Sequence, residues 1–97
     1  MSPLNKKKLN LLRIKLDKLD NELLNLIKKR SNLVNEVLKV KIYKKEIIDK
    51  KRIVFILNKI KKKSIKLKID TKITKRIWKN MIWSFIDYEK RNFKKKK

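Results

Sequence analysis

The sequence predicts an all-α fold of three helices, the first much longer than the others, and three observations carry that prediction. The chain of 97 residues has no glycine and a single proline, Pro3, so almost nothing interrupts a helix. Its apolar residues recur at steps of three and four, the period of one helix face, and do not alternate as in a strand. The rhythm breaks in two places, "KIYKKEIIDK" and "KKKSIKLKIDTK".

The first helix is expected from about residue 4 to 42. Its seam reads Leu12, Leu16, Leu19, Leu23, Leu26, Arg30, Leu33, Val37 and Val40, with Leu24, Ile27, Val34 and Leu38 widening the stripe on one side. About 38 residues at 1.5 Å each give a rod about 57 Å long. Too few residues remain to cover such a seam, so a partner chain is the expected cover. After a break around Tyr43 to Glu46, a second helix is expected over 47–61, with Ile48, Phe55, Ile56 and Ile60 available for burial. The third is expected over 71–93, carrying Ile73, Ile77, Trp78, Met81, Ile82, Phe85 and Phe93. Asp70 or Thr71 is placed to cap it, because a side-chain oxygen there accepts from free backbone donors of the first turn. Residues 94–97 read as a solvated basic tail, and the whole of 1–97 as one small domain.

Composition excludes much chemistry. There is no cysteine and no histidine, which removes thiolate and imidazole metal sites and serine–histidine or cysteine–histidine catalysis. No apolar run approaches the roughly 18 residues needed to span a bilayer. Lysines break the amino-terminal apolar stretch too soon for a signal peptide, so the expected location is the cytoplasm. Met1 and the lysine tail read as the ends of a complete chain. The net charge of +23 raises the possibility of a nucleic-acid partner. Yet of the 32 basic residues only five are arginine, and the lysines run evenly from Lys6 to Lys97. With glycine, alanine, glutamine and histidine missing, this pattern reads as drift toward AT-rich codons. A lysine-coated surface of this kind binds anions loosely at low salt whatever its function.

Against that drift, the retained arginines stand out. A planar guanidinium grips a carboxylate through two parallel hydrogen bonds, which an ammonium cannot copy. Arg30 interrupts the apolar seam, where a charge is costly to bury. Either its stem packs while the guanidinium reaches water or a partner's carboxylate, or it lines a cavity that takes an anion. Lys41 follows about 16 Å further along the same face, about 20° around. Arg13 lies about 26 Å before Arg30 and about 100° around the helix. It reaches the same small-molecule site only from an antiparallel partner's copy. Asp49 and Arg52 stand at i and i+3 in "DKKR", where a surface ion pair is the plain reading. Glu89 continues the apolar stripe of the third helix four residues after Phe85; its plain reading is a helix-end carboxylate paired with a nearby lysine.

Taken together, "LLRIKLDKLDNELLNLIKKRSNLVNEVLKVK", "DKKR" and "RIWKNMIWSFIDYE" resemble the all-helical (type II) chorismate mutases, over about Leu11 to Glu89. The shared pattern is an arginine, a second arginine 17 residues on and a lysine 11 later. An Asp-x-x-Arg pair follows, then a carboxy-terminal aromatic helix ending in Gln or Glu. The resemblance implies an intertwined homodimer with antiparallel long helices and two active sites. It implies the [3,3] rearrangement of chorismate to prephenate, on the way to phenylalanine and tyrosine, with no cofactor and no metal. Arg13 from the partner chain and Arg30 would clamp the two substrate carboxylates, with Arg52 assisting. Lys41 and Glu89 would donate to the ether oxygen, and Asp49 would help hold the ring hydroxyl through its backbone. A carboxyl donates only when protonated, so activity is expected to fall as Glu89 ionises.

Two positions depart from the family pattern. Ile53 follows the Asp-x-x-Arg arginine where many members carry Glu. Aligning Trp78 with the family's aromatic puts Phe85 at a usual Ser position and Glu89 at the Gln; a shift of one offers Ser84 and Tyr88 instead. Three alternatives stand beside the mutase reading. An isochorismate-pyruvate lyase uses the same scaffold, a basic helical nucleic-acid-binding module explains the charge, and a regulatory domain of a larger enzyme explains the size.

Overall fold

The computed structural model describes residues 1–94, which hold three α-helices and no strand. Helix α1 spans Pro3–Val40, α2 Lys50–Lys66 and α3 Thr71–Asn92, with a 3-10 turn at Lys44–Ile47 between the first two. The expected tail falls mostly outside this range: Lys94 is exposed, and residues 95–97 lie beyond the described ones.

Each boundary has a local cause. Ser2 caps α1, its hydroxyl accepting from the Asn5 N–H at 3.2 Å, and Pro3 takes the first helical position, where its missing donor costs nothing. Helix α1 stops two residues before the expected end. The Lys41 N–H then reaches back only to the Leu38 carbonyl, at 3.3 Å, the tightened last turn of a helix end. In the 3-10 turn the Glu46 carboxylate accepts from the Tyr43 N–H at 3.0 Å. Helix α2 starts three residues later than the sequence suggests because Asp49 is its N-cap, accepting from the Arg52 N–H at 3.0 Å. It also ends five residues later, at Lys66. Its end is a Schellman closure: Lys68 N–H to Ile65 O at 3.2 Å and Ile69 N–H to Ser64 O at 2.9 Å. That closure needs a left-handed residue, and in a chain without glycine Lys68 supplies it, at φ 56°. Asp70 caps α3 by accepting from the Lys72 N–H at 2.8 Å.

The chain divides into two compact units, Met1–Leu33 and Val34–Lys97. In the first, which is almost entirely α1, Leu12, Leu16, Leu19, Leu23 and Leu26 are each 51–58% exposed. In the second, α2 packs along α3 and the 3-10 turn sits against α3. The core there is Ile47, Ile82 and Ile86, with Leu38, Ile48, Ile53, Ile56, Leu57 and Phe93 around it. Ser64 of α2 and Thr74 of α3 bridge the two helices inside this unit. The Ser64 hydroxyl donates to Thr74 Oγ1 at 2.8 Å and lies 2.7 Å from the Ile60 carbonyl. Both residues are buried, so the pair satisfies polar groups that burial would otherwise penalise.

Three apolar residues expected inside are exposed: Phe55, Ile73 and Ile77. Phe55 faces solvent beneath cations, with the Arg52 guanidinium 5.2 Å and the Lys59 ammonium 5.9 Å from its ring centre. The inner line of α3 instead runs Thr74, Ile82, Ile86 and Glu89, displaced from the Ile73–Ile77 side of the helix.

Candidate active site

The inner line of α3 ends on a carboxylate. Glu89 is 5% exposed, and a lone charge at such a position would be very costly. Lys41, one residue beyond α1, supplies the counter-charge: its ammonium donates to Glu89 Oε1 at 3.1 Å and Oε2 at 3.3 Å. The partner of Glu89 is therefore not a neighbouring lysine on its own helix but one 48 residues earlier. Side-chain exposure of 16% for Lys41 and 7% for Glu89 leaves the pair weakly screened by solvent. Breaking such a pair by removing one member strands the other, at a typical cost of about 3–5 kcal/mol.

Beside this pair, an open cleft is lined by Lys41, Glu46, Ile48, Asp49, Lys50 and Lys51. Asp49 thus shares a cleft with Lys41, but its carboxylate is engaged in capping α2. The expected Asp49–Arg52 surface ion pair is instead a bond to the Arg52 main chain, while the Arg52 guanidinium lies over Phe55. Arg52 is exposed. Arg13 and Arg30 belong to the first unit; Arg13 is exposed and Arg30 half-buried. Among the candidate residues, then, Lys41 meets Glu89 and shares a cleft with Asp49, and Asp49 meets Arg52 through the backbone.

Of two further residues in this neighbourhood, Asn35 has no role in the sequence reading and Tyr88 has one only in the shifted register. The Tyr88 hydroxyl donates to Asn35 Oδ1 at 2.7 Å, and both residues are half-buried. Asn35 sits beside Val34 and Leu38 at the end of α1. A polar residue in that position, flanked by stripe-widening apolar ones, is the only local signal of an inward role. Ser84, offered by the shifted register, is exposed. Among the described residues, no cluster of three or more His, Cys, Asp or Glu could hold a metal ion, and no helix is long and apolar enough to cross a membrane.

The ammonium and carboxylate face each other within a unit that otherwise buries little charge. Such an arrangement can neutralise an anionic guest, donate hydrogen bonds and orient, without nucleophile or metal. Comparison with curated proteins and with solved structures gives no match. A family model, by contrast, matches residues 12–90, and its description is chorismate mutase type II. The matched segment holds Arg13, Arg30, Lys41, Asp49, Arg52 and Glu89, and covers most of the chain. The chain belongs to the type II chorismate mutases, a family of isomerases.

Proposed function

We propose that this chain is an active chorismate mutase of the cytoplasm, one domain that works as an antiparallel, intertwined homodimer. The observation that carries the reading is the buried Lys41–Glu89 pair, set inside a segment that matches the family. The exposed leucine seam of α1 supports the second copy: so much contiguous apolar surface is unusual on a monomer, and a long antiparallel partner helix fits it.

In this reading the substrate dianion enters where Arg30 interrupts the seam. Arg30 and the partner copy's Arg13 hold the two carboxylates by two-point contacts, and Arg52 assists. Holding the enolpyruvyl arm over the ring brings the reacting carbons into a near-attack geometry, which removes entropy from the barrier. The ether C–O bond then breaks as the new C–C bond forms, with no net proton transfer. Negative charge grows on the ether oxygen, and Lys41 and protonated Glu89 donate to it. Asp49, its carboxylate held by the cap, leaves its backbone to meet the ring hydroxyl. The product is prephenate, a precursor of phenylalanine and tyrosine.

The test is to give the purified chain chorismate and isochorismate separately while measuring its mass in solution. Prephenate from chorismate, made by a dimer, is the expected result. Salicylate and pyruvate from isochorismate would move the chain to the lyase reaction. A monomer inactive on both would overturn the proposal.

A further inference from the structure

We propose that Tyr88 and Asn35 are positioning residues, whose hydrogen bond fixes the roll of α3 and so aims Glu89 at Lys41 and the reacting oxygen; this rests on the rearrangement reading above. Tyr88 and Glu89 are neighbours in sequence, so on a helix they leave the axis about 100° apart. Their partners, Asn35 and Lys41, come from one short stretch at the end of α1. One bond runs from the Tyr88 hydroxyl to Asn35 Oδ1 at 2.7 Å. The others run from the Lys41 ammonium to the Glu89 carboxylate at 3.1 and 3.3 Å.

The geometry matters because of what else holds α3. Near Glu89 it packs through Ile82 and Ile86 in the apolar core, and apolar burial is non-directional; the polar bond between Ser64 and Thr74 lies at the opposite end of the helix. The carboxy-terminal turns, with one ion pair beside such packing, can still twist about the axis. A second polar bond at a different azimuth removes that freedom. A side-chain tip on a radius of about 5–6 Å moves about 1 Å when the helix rolls by about 10°. A misplacement of about 1 Å at a reacting centre can cost about 100-fold in rate. Tyr88 is itself held on two sides. The Asn92 amide donates to the Tyr88 carbonyl at 2.9 Å, and the Arg91 guanidinium lies 6.0 Å from its ring centre. Arg91 is in turn steadied by Asp87, at 2.9 Å. The phenol therefore transmits to the backbone of residue 88, and thus to its neighbour 89, the position of α1.

The experiment uses the whole chain and chorismate. Wild-type turnover comes first: its absence overturns the rearrangement reading and this proposal with it. Given an active wild type, Tyr88→Phe, Asn35→Leu and the double variant are compared by kcat and KM at a temperature where circular dichroism shows each folded. Each single change is expected to lower kcat about tenfold with KM within about twofold, and the double to be no worse than the poorer single, since both remove one bond. An unchanged kcat in Tyr88→Phe, a loss confined to KM, or losses that multiply in the double variant would overturn the positioning role and leave the rearrangement standing. Tyr88→Phe keeps the ring and its packing, so it decides the matter alone should Asn35→Leu fail to fold.

Discussion

The two ends of α1 bury themselves in opposite ways. Over residues 12–26 its leucines stay more than half exposed, whereas from Val34 onward Leu38 joins the core built by Ile47, Ile82 and Ile86. The difference lies in which face is used. Leu33, Val37 and Val40, which continue the long seam, remain exposed, while the side stripe through Val34 and Leu38 turns inward. One helix thus carries two apolar faces: one satisfied within its own chain and one not. An apolar stripe that its own chain leaves in solvent points to an intermolecular contact, and the proposed dimer assigns it one.

Placing charge on the open face should break the comparison most violently. Leu19→Glu combined with Leu23→Glu is expected to leave the protein monomeric by sedimentation and to abolish mutase activity, since each proposed site takes its Arg13 from the second copy. Retention of the dimer would mean that the seam is not the interface. On the closed face, Ile82→Ala should lower the unfolding free energy by about 2–5 kcal/mol, as for other fully packed isoleucines; urea titration checks it. A much smaller loss would show the inward face to be loosely packed.

Arg30 lies on the open seam, and the chemistry of its head group is a sharper probe than its charge. Arg30→Lys should leave the helical spectrum intact while kcat/KM falls about 100-fold, because an ammonium cannot grip a carboxylate at two points. Wild-type turnover in that variant would return Arg30 to a packing role. At the closed end, Glu89→Gln tests the donor. An amide N–H donates where a carboxylate cannot, so Glu89→Gln should keep at least wild-type turnover while Glu89→Ala loses it about 100-fold; a Gln variant as poor as the Ala variant refutes the donor role. The smallest effect is expected at Lys68, the left-handed residue closing α2. Lys68→Gly should raise stability by about 0.5–1 kcal/mol, because relief of the strained conformation outweighs the added freedom of the unfolded chain.

Much of the fold was legible from local signals. The helical period found all three helices, and the Asp70 cap located the start of α3. What was missed has physical causes. The end of α2 carries no glycine, so its Schellman closure around Lys68 left no mark in composition. Asp49 was read through its spacing to Arg52 as an ion pair, when the same spacing also makes an N-cap. Ile86 went unnoticed because Ile73 and Ile77 suggested a neighbouring line on α3. The meeting of Lys41 with Glu89 is a tertiary fact: the spacing of residues around Glu89 favoured a partner on its own helix. Only the family pattern gave the two residues a common purpose. Tyr88 with Asn35 had no such guide, since a bond between residues 53 apart leaves no trace in any local window.

The double grip of the Lys41 ammonium on Glu89 has a consequence for whatever enters beside it. A guest that draws the ammonium away leaves behind a carboxylate almost sealed from water, so it must return a hydrogen bond to that carboxylate or forfeit part of its own grip. Guests carrying a hydroxyl beside their negative charge should therefore lodge there more readily than equally charged ones without it.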